Sequence, residues 1–167
     1  KFSFGFILRQ GAEKVVLSPE LTLDQIKTIS STGPAECIVH GPMEVMISEH
    51  CFVGGIFGNC NSCGSLCRTG KYEIVDEKGF VFPMEMDTSC RTHIFNSREL
   101  CMLDNIDDFL NSGLSSIRIN AGMYESEQVA KLTGIYRNAI DNSIPRESGC
   151  KSILKGHTKG HYYRGVL

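Results

Sequence analysis

Four cysteines, Cys51, Cys60, Cys63 and Cys67, fall within seventeen residues in the spacing C-x8-C-x2-C-x3-C, and Cys90 and Cys101 follow downstream. Thiols this dense are bridged, bound to metal or reactive, because an isolated free cysteine normally serves as a small buried hydrophobe. Four thiolates are the usual ligand set of structural zinc and of iron–sulfur clusters. Zinc sites favour two close C-x2-C pairs, and here only Cys60 and Cys63 have that spacing. By spacing alone zinc and a cluster are equal readings, with disulfides as a third.

Outside that run, Glu20, Glu36 and His40 are the candidates for acid–base chemistry. Each also has a structural reading: Glu20 as a charge at a helix start, Glu36 in an ion pair, His40 as a satisfied core histidine. His50 adjoins Cys51 and could donate to a sulfur. Cys37 reads as a core thiol and Cys150 as an ordinary free thiol in a polar tail. His157 and His161 lie among Lys151, Lys155, Lys159 and Arg164, a basic stretch that either meets RNA phosphates or is a solvated terminus. No serine sits in a nucleophile elbow, there is no H-E-x-x-H, and no Cys–His pair stands apart from the cysteine run.

The elements that must position these residues alternate. The segment from Phe2 to Gln10 is apolar on every side and ends at Gly11, a capped buried helix. Val15 to Leu17 reads as a short buried strand, and Thr22 caps a helix with Leu23, Ile26 and Ile29 on one face. Cys37 to Val39 is a second strand. Residues 51–70 have no period and read as a loop in need of a cross-link or metal. Tyr72 to Val75 and Phe80 to Phe82 form a hairpin about Asp76-Glu77-Lys78-Gly79. Thr92 to Phe95 is a further strand; Asn96-Ser97 then caps a helix through Leu100, Leu103, Ile106, Phe109 and Leu110. Ser116 to Ile119 is the last strand, and Ser126 opens a helix through Val129, Leu132, Ile135, Tyr136 and Ile140. Beyond Ile140 the pattern dissolves.

Strands alternating with helices predict βαβ units and a parallel sheet. The expected fold is α/β: half of a TIM-like (β/α) barrel with parallel strands, plus a cysteine-rich loop and a β-hairpin insertion at about 44–90. The half-barrel is expected over 1–142, and 143–167 as a C-terminal tail. Function gathers at the carboxyl ends of such strands, where Glu20, His40 and Asn96 fall. A half-barrel leaves an open edge, so a missing N-terminal half or a partner chain should complete it. The start at Lys1 also suggests a piece of a longer chain.

With 41% hydrophobic and 22% charged residues, the chain has a globular composition. A net charge of −2 gives no global case for nucleic acid or membrane. No apolar run approaches a membrane span, and no signal peptide is evident. A cytoplasmic setting with reduced thiols is the expectation.

Three stretches then carry a resemblance: Leu17 to Thr22 (LSPELT), Glu36 to Cys51 (ECIVHGPMEVMISEHC) and Ile94 to Cys101 (IFNSRELC), with Lys159 to Val166 (KGHYYRGV) closing the order. From about Glu13 to Val166 the chain resembles the collagenase-like peptidase family, over the C-terminal half of that family's barrel. Against the family pattern E-x-F-x-x-G-[SA]-[LIVM]-C-x4-G-x-C, residues Glu36, Gly41, Met43 and Cys51 match. Glu44 stands in place of the first cysteine, Glu49 of the following glycine and Pro42 of the small residue.

The resemblance implies a 4Fe–4S cluster, with zinc as the alternative metal. It implies Cys51, Cys63 and Cys67 as three ligands and Cys90 as the fourth, with Cys101 and then Cys60 in reserve. It also implies an enzyme for oxygen-independent hydroxylation of RNA or a small aromatic substrate. The alternatives are a collagenase-like protease and a non-catalytic scaffold stapled by zinc or a cluster.

Overall fold

The computed structural model describes residues 2–57, 66–142 and 149–165. In chain order the elements are α1 (Phe2–Arg9), β1 (Val15–Val16), α2 (Leu23–Ser30), β2 (Ala35–Gly41), β3 (Glu44–Ser48), α3 (Phe52–Phe57), β4 (Tyr72–Val75), β5 (Val81–Met86) and β6 (Thr92–Phe95). They continue with β7 (Glu99–Cys101), α4 (Ile106–Leu110), β8 (Ser116–Ile119), α5 (Ser126–Asn142), α6 (Gly149–Ile153) and β9 (His157–Thr158). The chain divides into two compact units, residues 1–41 with 99–167, and residues 42–98.

The first unit is organised by β2. Six of its seven residues are buried, the continuous burial of a strand covered on both faces. β1 and β8 pair with it in parallel, Val15 opposite Ala35 and Glu36 opposite Ser116. Local signals hold the helices in place. Thr22 and Gln25 form a reciprocal capping box at the start of α2, and α5 buries Leu132, Tyr136 and Ala139 at helical spacing.

The chain is therefore mixed α/β with parallel strands in one sheet. A half-barrel does not emerge, and no closed barrel is seen among the described residues. One reason is β7, where a helix is expected from Asn96 onwards. Glu99–Cys101 instead pairs antiparallel with the end of β2, His40 opposite Cys101, and Met102 N–H extends the pairing to Val39 O at 2.9 Å. Only a 3-10 turn at Leu103–Asn105 and the short α4 follow. Leu100, Cys101, Met102 and Leu103 are all buried. A run buried on every side fits strand and helix equally, so spacing could not choose.

The C-terminal segment, expected as a structureless polar tail, contributes α6 and β9, which pairs parallel with β7. Tyr162 is buried edge-on to Phe109 with ring centroids 4.8 Å apart, and its hydroxyl donates to Ile38 O. Single anchoring residues have no period, which hid this docking. No helix among the described residues is long and apolar enough to cross a membrane.

The second unit is a four-stranded antiparallel sheet in the order β3-β6-β5-β4. The hairpin of β4 and β5 forms as expected. Asp76 Oδ1 accepts the Lys78 and Phe80 N–H groups at 2.9 and 2.8 Å, and Gly79 takes φ +82°. Thr92–Phe95 is a strand as expected, but it pairs antiparallel with β3 and β5 rather than extending a parallel series. β3 was not expected: Val45, Met46 and Ile47 are all exposed, so the strand lacks apolar alternation. Residues 52–57 of the expected cysteine loop form α3. Cys60 and Cys63 lie outside the described residues.

Candidate functional site

His40 is the penultimate residue of the central strand β2 and is fully buried. Its Nδ1 lies 3.2 Å from Tyr136 Oη on α5, and that hydroxyl also lies 3.1 Å from Val39 O. The hydroxyl has one proton, for which Nδ1 and Val39 O compete, and Val39 O also accepts the Met102 N–H at 2.9 Å. His40 Nε2 is buried and has no hydrogen-bond partner among the described residues. Burial lowers the His40 pKa to about 4, so the ring is neutral at physiological pH. Burial likewise raises Tyr136, keeping its hydroxyl protonated.

His40 lines a cavity of about 160 Å³. Glu99 of β7, Tyr124, and Gln128 and Lys131 of α5 complete its polar lining, and α5 and α6 supply aliphatic walls. The Tyr124 hydroxyl donates to Glu99, and its ring is tilted 54° to that of His40 at a centroid distance of 6.1 Å. Of the sequence candidates among the described residues, only His40 lines this cavity. The partners Tyr124, Tyr136, Glu99 and Lys131 went unnoticed because they come from separate elements. A hydroxyl within the buried Tyr136 stripe was the available hint.

Glu20 is exposed in the loop after Ser18, whose Oγ accepts its N–H at 3.3 Å. Glu36 is buried with both oxygens engaged. Arg118 Nε stands 2.6 Å from Oε1, and Lys14 Nζ and Ser116 Oγ each stand 2.6 Å from Oε2. Burial alone would raise its pKa, but bonds from Lys14, Ser116 and Arg118 prevail and hold it at about 2. The carboxylate thus ties β2 to β8 and to the chain before β1. The stability gained is complete above the ordinary value of 4.5 and is lost as pH falls towards about 2. Glu36→Gln is expected to cost about 2 kcal/mol, since the two cations left behind are half exposed. Urea unfolding should show that loss at pH 7, with a flatter pH dependence between pH 5 and pH 2.

Cys51 is buried, and its Sγ accepts the Gly54 N–H at 3.2 Å. Thr92 Oγ1 pins the approach to it, donating to His50 O at 2.8 Å and accepting Phe52 N–H at 3.4 Å. Cys67 is half-buried in the 3-10 turn Leu66–Arg68. Cys90 is exposed in the turn built on Asp87, with the left-handed φ of +62°. These three ligand candidates belong to the second unit. Glu44, standing where the family motif has its first cysteine, is 2.6 Å from His93 Nδ1.

Cys101, a reserve ligand, belongs to the first unit and is bonded to Cys150 with Cα atoms 5.9 Å apart. Cys150 is therefore no free thiol in a polar tail. It is fully buried, because α6 packs it under β7. Cys37 is also fully buried, and burial first, then the Glu36 charge, push its thiol up to about 12. The ligand atoms of Asp104, Cys150 and His157 lie within 4.8 Å of one another, but the Cys150 sulfur is committed to Cys101. Reducing the 101–150 bond, whose ends are 49 residues apart, should lower stability by about 4 kcal/mol on chain entropy. Denaturation with and without dithiothreitol measures it.

Parallel strands, with a buried histidine near the carboxyl end of the central one and a small cavity beside it, make the first unit an α/β domain. The model of peptidase family U32 matches residues 2–165, and the chain belongs to that family, the collagenase-like one. The chain is 31% identical over 145 residues to an uncharacterized protease of Methanocaldococcus jannaschii, covering 80% of this chain and 34% of that protein. It is 26% identical over 164 residues to the 23S rRNA 5-hydroxycytidine C2501 synthase of Escherichia coli, covering 95% and 24%. It is 27% identical over 139 residues to tRNA hydroxylation protein P2 of Bacillus subtilis, covering 80% and 45%. The chain thus spans less than half the length of these relatives. No solved structure matches.

Proposed function

We propose that this chain is part of an iron–sulfur enzyme that hydroxylates an RNA base. The supporting observation is the alignment of 95% of the chain with a relative named as an rRNA 5-hydroxycytidine synthase, joined by the tRNA hydroxylation protein. The thiolate set suits iron–sulfur chemistry, and Cys51 already accepts an N–H···S bond of the kind that tunes cluster sulfurs. Cys51, Cys63, Cys67 and Cys90 would hold the cluster, which supplies one-electron transfer when bound. His40 and the groups around it would hold the base.

The family's peptidase name has no nucleophile–histidine hydrogen bond among the described residues to rest on. Nucleoside analysis of RNA from cells lacking the full-length protein tests the reading. A hydroxylated pyrimidine should vanish and return with the wild-type gene, but not with Cys51→Ser. Unchanged nucleosides, with peptide cleavage by the purified protein, would favour the protease. A colourless one-zinc protein without either activity would favour a scaffold.

A further inference from the structure

We infer that Asp104, Cys150 and His157 form a zinc site that is closed while Cys150 is bonded to Cys101 and opens when that disulfide is reduced. All four residues belong to the first unit, and the site stands independently of the RNA reading.

Three elements bring the ligands together. Asp104 comes from the 3-10 turn after β7, Cys150 from α6 and His157 from β9. Their ligand atoms lie within 4.8 Å of one another. The framework sets them there through its own bonds. Asp104 Oδ1 accepts the Cys150 N–H at 3.0 Å, which leaves the other carboxylate oxygen for an ion. Parallel pairing of β9 with β7 places His157 in register with Glu99. Gly149 lets α6 begin close against the turn, since a Cβ on it would lie 3.0 Å from Leu103 Cδ2 and 3.1 Å from Asp104 Oδ1. Groups already held near one another lose less freedom on binding.

The donor set selects the ion. A thiolate, an imidazole and a carboxylate together suit zinc, whereas magnesium and calcium take oxygen ligands. Three protein ligands leave a fourth position for water. Asp104 and His157 are half-buried, so both water and the ion can reach the site.

Zinc binds sulfur as the thiolate, and a disulfide has none to offer. The Cys101–Cys150 bond therefore excludes the ion. A dithiol reductant opens the site by exchange: its two sulfurs join each other, the Cys101–Cys150 bond breaks, and each freed sulfur takes one of the reductant's protons. Zinc then displaces the Cys150 proton to solvent. Disulfide and ion are thus alternative cross-links for α6, one under oxidising conditions and the other under reducing ones.

The test is zinc binding to the intact protein, oxidised or reduced by a phosphine without oxygen, read by native mass spectrometry and melting temperature. The reduced protein should hold one zinc and melt higher with it; the oxidised protein should do neither. His157→Ala should melt like wild type when oxidised, yet bind zinc more weakly by more than the roughly tenfold that loss of a supporting group costs. Asp104→Asn, which can still accept the Cys150 N–H, should weaken zinc in the same way. Cys101→Ser cannot close the disulfide and should bind zinc with or without reductant. Cys51→Ser should keep its zinc, because Cys51 lies in the second unit. No zinc on the reduced protein, wild-type affinity in His157→Ala and Asp104→Asn, or loss of zinc in Cys51→Ser overturns the site. Equal binding by oxidised wild type, or no binding by Cys101→Ser, overturns the gating.

Discussion

Purified without oxygen, the protein is expected to be brown and to carry about four iron and four sulfide per chain, and Cys51→Ser should remove most of both. Cys51 has the greatest leverage because its sulfur is already buried and oriented by the Gly54 N–H. A serine oxygen is a hard ligand that iron–sulfur clusters hold poorly. Cys63→Ser, Cys67→Ser and Cys90→Ser should follow. Cys37→Ser should keep its iron, since a thiol pushed up to about 12 in the core is no ligand. The fourth position is the sharpest comparison. Cys101 sits in the other unit, bonded to Cys150, so Cys101→Ser should keep the iron that Cys90→Ser loses. The opposite result would move the ligand to Cys101, and a single zinc in place of iron would remove the cluster altogether.

Gly41→Ala is expected to destabilise the protein by roughly 3–5 kcal/mol, enough to make it poorly soluble. Gly41 follows His40 at φ +120°, and a Cβ there would lie 2.1 Å from Asn120 O. That oxygen is backbone and cannot swing aside. Its own chain is held by the Asn120 N–H bond to His40 O at 2.8 Å. Gly79→Ala is the control. Gly79 also has a positive φ, +82°, but nothing lies within 4 Å of its Cβ position, so only the backbone cost of about 1 kcal/mol applies. Thermal melts of the two variants separate the steric contribution from the conformational one. Similar melting temperatures would contradict the close approach of β2 to Asn120.

Where local chemistry decides, the sequence read true. The Thr22 cap, the Asp76 to Gly79 turn and the buried run of β2 each follow from residues within a few positions of one another. The family, too, was legible in a short ordered signature from Glu36 to Cys51. Only the tertiary structure decided the direction of β7, the burial of Cys150 and Tyr162, and the set of groups around His40. Strand direction depends on which neighbour completes the backbone hydrogen bonds, and a run of four buried residues carries no such information. His40 was visible as a candidate. What surrounds it is set by Tyr136, whose hydroxyl meets both His40 Nδ1 and Val39 O from ninety-six and ninety-seven residues away in the chain. Such contacts join distant residues, so they exist only once the chain has folded.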